Sequence, residues 1–150
     1  MTYRRLAVLG CCLLMGAALP QEHRMDKAAG SFDVKLTPET APGAAVDRMS
    51  INKVFHGDLD ATSQGEMLAV RTEGGSAGYV AMERVTGTLH GRHGSFVLQH
   101  FGVMTRGSPA LTVSVVPDSG TDGLRDIKGS MTIENTGGAH SYVLTYHLPE

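Results

Sequence analysis

The chain has 150 residues, 19% of them charged and 41% apolar, with 19 Gly, 6 Pro and no Trp. That length suits one domain, and the balance excludes both a disordered tail and a coiled coil. The formal net charge is −2 and no segment concentrates Lys and Arg, so the basic footprint of nucleic-acid binding is missing and no nucleic-acid partner is expected.

Residues 1–20 read MTYRRLAVLGCCLLMGAALP. Arg4 and Arg5 make a positive start, Leu6 to Met15 is an apolar core, and Gly16-Ala17-Ala18 supplies the small residues of a cleavage site. This pattern predicts a signal peptide over 1–18 and an exported protein, periplasmic or secreted. The run is shorter than the roughly 20 apolar residues of a membrane helix, and no later run approaches it, so no transmembrane span is expected. Val8-Leu9-Gly10-Cys11 offers a rival reading, a lipoprotein with lipidated Cys11. It is the weaker one, because four apolar residues precede Cys11 and the chain stays apolar after it. A start at Met25 would give a cytosolic form. Cleavage after Ala18 removes Cys11 and Cys12, leaving no thiol. Thirteen Lys and Arg less Arg4 and Arg5 leaves 11, against 15 Asp and Glu, a formal charge of −4.

Residues 19–29 are polar and mixed, and read as a short tether. Phe32, Val34 and Leu36 then alternate with polar residues, the period of a half-buried strand over 30–36. Pro38, Pro42 and Gly43 mark a loop. A second strand covers 46–56, with Met49, Ile51, Lys53 and Phe55 on one stripe. The spacing predicts a turn at Gly57–Asp60, a third strand over 64–73 and a loop of small residues at 73–78. The fourth strand is Tyr79–Leu89, and Gly91-Arg92-His93-Gly94 is a hairpin connection. The fifth, Ser95–Met104, is apolar on both faces (Phe96 and Leu98 against Val97, Phe101 and Val103), so both faces are expected to be covered. Leu111, Val113 and Val115 mark a sixth strand, Ile127–Glu134 a seventh, and Tyr142, Leu144, Tyr146 and Leu148 an eighth. No window carries a helical apolar repeat.

Eight strands joined by short turns form a meander, which removes its edges by closing into a barrel or folding over as a sandwich. The barrel is preferred because the fifth strand is apolar on both faces: a closed barrel has a lumen to fill, and its outer wall can pack on the N-terminal segment or on another subunit, which makes a homo-oligomer an expected partner. The expected architecture is therefore all-β, a single closed eight-stranded antiparallel up-and-down β-barrel over 30–150, preceded by a signal peptide. A barrel of eight strands has an interior either packed with side chains or holding one small ligand.

Five segments carry a family resemblance: Val54–Leu59 (VFHGDL), Met82–Leu89 (MERVTGTL), Gly94–His100 (GSFVLQH), Val116–Thr121 (VPDSGT) and His140–Leu144 (HSYVL). Together they look like the bacterial family of domain of unknown function 3224, over about Gly30 to Leu148. That family is similar in fold to the allene oxide cyclase barrel, which implies a closed barrel with a lumen. It carries no established activity to transfer, and likeness of fold to a cyclase implies no cyclase chemistry. Many of its members look like cytosolic domains, so the leader is a departure.

Gly74-Gly75-Ser76-Ala77-Gly78 matches a nucleophile-elbow pattern, but that device needs a following helix, and Tyr79 opens a strand. Ser76 is read as a hairpin residue. His90 and His93 flank a hairpin turn, with His100 on the following strand; a zinc site takes three or four converging ligands, and histidines at such a turn ordinarily point outward. Asp118–Asp122 (DSGTD) lacks the ligand count of a calcium loop; no metal or cofactor is expected. The informative residues are polar ones inside apolar strands. Adjacent strand residues face opposite sides, so one of Glu83 and Arg84, and one of Gln99 and His100, points into the lumen. If Glu83 does, its carboxylate needs a partner, with His100 and Arg71 as candidates. Glu83, Gln99, His100, Glu66, Tyr79 and Tyr142 are the candidate ligand-binding residues, with Tyr146 of the same kind, and no catalytic residue is assigned. The leading expectation is a lumen that binds a small, partly apolar molecule. The alternatives are an isomerase or cyclase using Glu83 and His100 as acid and base, and a structural barrel packed solid and buried in an oligomer.

Overall fold

The computed structural model describes residues 24–149. The expected signal peptide, the lipidation site at Cys11 and the first residues of the tether lie outside the described residues. Eight strands follow one another: β1 (Asp26–Pro38), β2 (Asp47–Gly57), β3 (Leu59–Arg71), β4 (Ala77–Leu89), β5 (Arg92–Thr105), β6 (Ser108–Val115), β7 (Lys128–Thr136) and β8 (Ala139–His147). Each pairs antiparallel with the next, and β1 pairs with β8, so the sheet is a closed barrel in sequence order. Among the described residues no helix is long and apolar enough to cross a membrane.

The strands obey the period-2 pattern. Residues facing the lumen are buried (Ile51, Lys53 and Phe55 on β2; Ala81, Glu83 and Val85 on β4; Phe96, Leu98 and His100 on β5), and their neighbours are exposed or, as at Ser50, Ser95 and Val97, half-buried. Three hairpins turn on two residues of positive φ: His90-Gly91, Arg106-Gly107 and Gly137-Gly138. Positive φ at both central positions is what a type I′ turn requires, and its twist matches that of the flanking strands. The β4–β5 turn thus sits one residue before the expected Gly91–Gly94, and Gly94 is inside β5.

Three expectations change. Asp26–Ala29, read as tether, open β1, because they pair with Val143–Tyr146 of β8 and Ala28 is fully buried. The third strand starts at Leu59 rather than 64, where pairing with β4 outweighs the turn-like sequence. The outer face of β5 is not covered among the described residues: Phe101 is 56% exposed, and it lies beside Val80 and Leu68 in an apolar band across β3, β4 and β5.

The lumen has two unlike halves. Towards the β2–β3 and β4–β5 turns it is packed by Phe55, Leu59, Leu89, Phe96, Leu98 and Leu144. The β6–β7 connection closes that end. A single 3-10 turn at Asp122–Leu124 tucks Leu124 and Ile127 into the core. The same loop lies along β5, with Ser119 Oγ accepting from Val97 N–H and Thr121 Oγ1 from Ser95 N–H. The DSGTD segment therefore serves as a strand-edge cap, satisfying backbone groups that have no ladder partner there.

One seam is incomplete. β6 and β7 pair at Ser114 and Ser130, and no further register pair joins them towards the open end. Among amides of 110–113 and 131–135, those facing across the seam are expected to exchange within minutes in hydrogen-exchange mass spectrometry, while those bonded to β5 and β8 persist for hours. Uniform protection of both strands would show the seam closed in solution.

Candidate functional site

Towards the β1–β2 and β5–β6 turns the lumen is open. A cavity of about 710 Å³ is lined by Phe32, Val34, Ile51, Met67, Tyr79, Ala81, Leu111 and Ile133, with Lys53 and His100 at its inner end. Thr132 also lines it, although its neighbours Met131 and Ile133 face inward, so the cavity reaches through the β6–β7 seam. Such a volume is in the range of small-molecule sites, as is a mostly apolar lining with a few convergent polar groups.

The floor is a buried polar cluster. Glu83 is fully buried. Its Oε2 accepts from Lys53 Nζ at 2.7 Å and from His100 Nε2 at 2.9 Å, and its Oε1 accepts from the Ser63 hydroxyl. Register explains the meeting. His100 lies opposite Ala81, one diagonal step from Glu83, and Gly65 lies directly opposite Glu83. Lys53 starts two strands away on β2, opposite Ser63. Its long side chain crosses the inner face of β3 because that strand offers only Ser63 and Gly65 there. A Cβ on Gly65 would collide with Met82 O and the Glu83 backbone. Lys53 Nζ also lies 4.8 Å from the Phe32 ring centroid and 5.7 Å from that of Phe55, a cation–π setting that offsets part of its lost hydration.

Burial alone raises the Glu83 carboxyl. The hydrogen bond from His100, the Lys53 charge and the bonds from Lys53 and Ser63 outweigh it and hold the group at about 2. Glu83 is therefore ionised at neutral pH. The folded value lies below the ordinary 4.5, so the native state binds fewer protons than the unfolded chain in between. The resulting stabilisation is complete above about pH 4.5 and is lost as pH falls through about 2. Urea midpoints of the wild type are expected to drop more steeply from pH 5 to 2.5 than those of a Lys53→Met/Glu83→Leu double variant. Parallel pH profiles would remove Glu83 from this role.

The ionised carboxylate only accepts hydrogen bonds, so His100 Nε2 carries the proton of that bond. The other ring nitrogen, Nδ1, has no hydrogen-bond partner among the described residues. No buried polar side-chain atom of the described residues lacks a partner, so Nδ1 keeps open surface, and His100 lines the cavity. The arrangement places the Lys53 ammonium and the His100 ring at the end of an apolar cup.

The six sequence candidates separate cleanly. His100 and Tyr79 line the cavity, and Glu83 is bonded to Lys53 and His100 at its inner end. The Tyr79 ring lies flat against β5 where Gly102 has no side chain, at the cavity wall; burial and then the Glu83 charge push its phenol up, so it stays neutral. Gln99 faces outward, because its parity on β5 is opposite to that of His100. Glu66 is also outside, paired with Arg48 at 2.7 Å, and Arg71 pairs with Asp47 rather than Glu83. Tyr142 is buried in the packed half, where its hydroxyl accepts from Leu59 N–H and donates to His56 O. Tyr146 hydrogen-bonds His90. Among the described residues no three His, Cys, Asp or Glu side chains gather as a metal site. Ser76 precedes β4, and its hydroxyl accepts from Arg106 N–H. Lys53 and Ser63 were not among the candidates. The signal for Lys53 was its place in the stripe Met49, Ile51, Phe55; Ser63 lay between the expected turn at Gly57–Asp60 and the expected third strand, assigned to neither.

Comparison with known proteins gives one family. No curated protein matches the chain. A crystal structure of a protein of unknown function from the DUF3224 family of Shewanella oneidensis MR-1 is 49% identical, with a TM-score of 0.79, over 85% of this chain and 99% of that one. The family model described as protein of unknown function (DUF3224) matches residues 28–146. With its closed barrel and these matches, the chain belongs to the DUF3224 family.

Proposed function

We propose that this barrel binds a small, partly apolar molecule in the open half of its lumen. The observation that carries the reading is the 710 Å³ cavity ending on Lys53 and His100. A barrel that served only as a scaffold has no need to bury a Lys–Glu–His cluster at the end of an apolar cup, since an apolar filling of similar volume is as stable or more so. The ligand's body would lie against Phe32, Ile51, Met67, Tyr79 and Ile133, its polar end on the floor. The isomerase or cyclase alternative would rest on His100, because Glu83 is ionised and already accepts three hydrogen bonds, so it has no proton to give.

Native mass spectrometry of protein purified from its own host is expected to show a non-covalent adduct that is lost on denaturation. Ala81→Phe, which places a ring in the cavity, should abolish it in a folded protein. A wild-type mass without adduct, together with no binding of apolar probes, would overturn the reading.

Export belongs to the same proposal and rests on residues 1–18. The mature protein should begin at Leu19, and a diacylated Cys11 would replace secretion with membrane anchoring. The exposed band of Leu68, Val80 and Phe101 favours a second reading, a homo-oligomer. Light scattering should then give a multiple of the chain mass that Phe101→Glu reduces to the monomer.

A further inference from the structure

We infer that the lumen ligand meets the floor through an uncharged oxygen acceptor held by Lys53, so that the ligand class is an apolar carbonyl compound, a ketone or an ester. This inference rests on the lumen-binding reading and specifies its polar end. Lys53 lines the cavity at its inner end and keeps 7% of its surface exposed. An ammonium carries three N–H donors. Among the described residues Nζ has one hydrogen-bond acceptor, Glu83 Oε2 at 2.7 Å, and its other polar contacts are the Phe32 and Phe55 rings. A ring attracts the charge as a whole but is a weak acceptor for an individual N–H. Donor capacity is therefore left over where the apolar cup ends. Leaving it unmet away from water is costly, so an oxygen at this point holds a ligand better than an apolar group of the same shape.

Charge decides the kind of oxygen. Glu83 is ionised and already balances the Lys53 ammonium. Two oxygens bonded to one nitrogen lie within about 5–6 Å of each other. A carboxylate on Lys53 would therefore set a second anion that close to Glu83, where little water screens their repulsion. A carbonyl oxygen takes the same N–H and adds no charge. A ligand ammonium would face Lys53, while Glu83 is fully buried with three hydrogen bonds made. The body of a carbonyl compound suits the walls, which are apolar at Phe32, Ile51, Met67 and Ile133.

The test is fluorescence titration at pH 8.0 with 2-acetylnaphthalene, 2-isopropenylnaphthalene and 2-naphthoate. The first two share one shape and differ in C=O against C=CH2. Wild type is expected to bind the ketone most tightly. Lys53→Met/Glu83→Leu keeps the cup and removes both charges together, so no lone buried charge unfolds it. The ketone-to-hydrocarbon affinity ratio should be at least about tenfold lower in that variant, the lower end for a hydrogen bond to a charged group. The same ratio in both proteins overturns the carbonyl inference and leaves lumen binding standing. Tighter binding of the naphthoate to wild type does the same, by making the floor an anion site. Failure of all three to bind overturns the lumen reading and the inference with it.

Discussion

Replacing Glu83 with Gln is expected to lower the stability of the barrel by about 3–5 kcal/mol, the range for breaking a buried ion pair by removing one partner. The carboxylate is fully buried, and Lys53 is 7% exposed. Without the carboxylate the ammonium stays in the lumen with no counter-charge, and Ser63 and His100 lose a charged acceptor. A single-domain barrel of this size has roughly 5–15 kcal/mol in total, so the loss is a large share of it. With a urea m-value of about 1–3 kcal/mol/M, the unfolding midpoint should fall by at least about 1 M. The double variant Lys53→Met/Glu83→Leu removes both charges and should recover most of the loss, since apolar replacement of a buried pair is often neutral or stabilising. A single variant within about 0.5 kcal/mol of wild type would mean that water reaches the floor freely and the cluster is not a buried one.

The second large effect separates the two halves of the lumen. Phe55 is fully buried, with its ring edge-on to Tyr142 at 5.6 Å and tilted against Phe32 at 5.4 Å. Phe55→Ala should cost about 3–5 kcal/mol, the usual loss for a large core aromatic that leaves a cavity behind. Leu36 lies on the same barrel wall as Phe32 but at the mouth, 47% exposed. Leu36→Ala should cost less than about 1 kcal/mol, because little packing is lost there. Denaturant unfolding of both variants measures the contrast. Comparable losses at the two positions would indicate that the open half is packed in solution, and the cavity would then have no role in binding.

Much of this was legible in the chain. Period-2 alternation located eight strands, and the need to leave no edge narrowed the meander to a barrel or a sandwich; the ground for preferring the barrel, a fifth strand covered on both faces, does not hold for its outer face, where Phe101 is exposed. Glu83 and His100 were visible as polar residues in apolar strands, although single-sequence reasoning left each tied with a neighbour of opposite parity. Pairing resolves the tie: His100 faces inward with Phe96 and Leu98, which sends Gln99 outside. Lys53 was equally visible in its apolar stripe. Its role has no local signal, since a lysine in a strand is usually solvated and its partner Glu83 lies two strands away. Ser63 and the start of β3 were hidden because GDLDATSQG has the composition of a turn, and only pairing with β4 makes it a strand. Leu124 was hidden for a related reason: a lone apolar residue in a turn-rich loop carries no period. Ile127, read as the first residue of the seventh strand, lies just before β7, and the two seal one end of the barrel. The incomplete β6–β7 seam has no local signal at all, since it depends on how the other strands close around the lumen.

The proposed binding places the ligand in the open half of the lumen and not on the exposed apolar band outside. Methionine methyls report on both. Met67 lines the cavity, whereas Met82 is 52% exposed on the outer wall. In a 13C-methyl-methionine NMR titration with 2-acetylnaphthalene, the Met67 signal is expected to shift and saturate while Met82 stays in place. A shift at Met82 with Met67 unmoved would contradict the account.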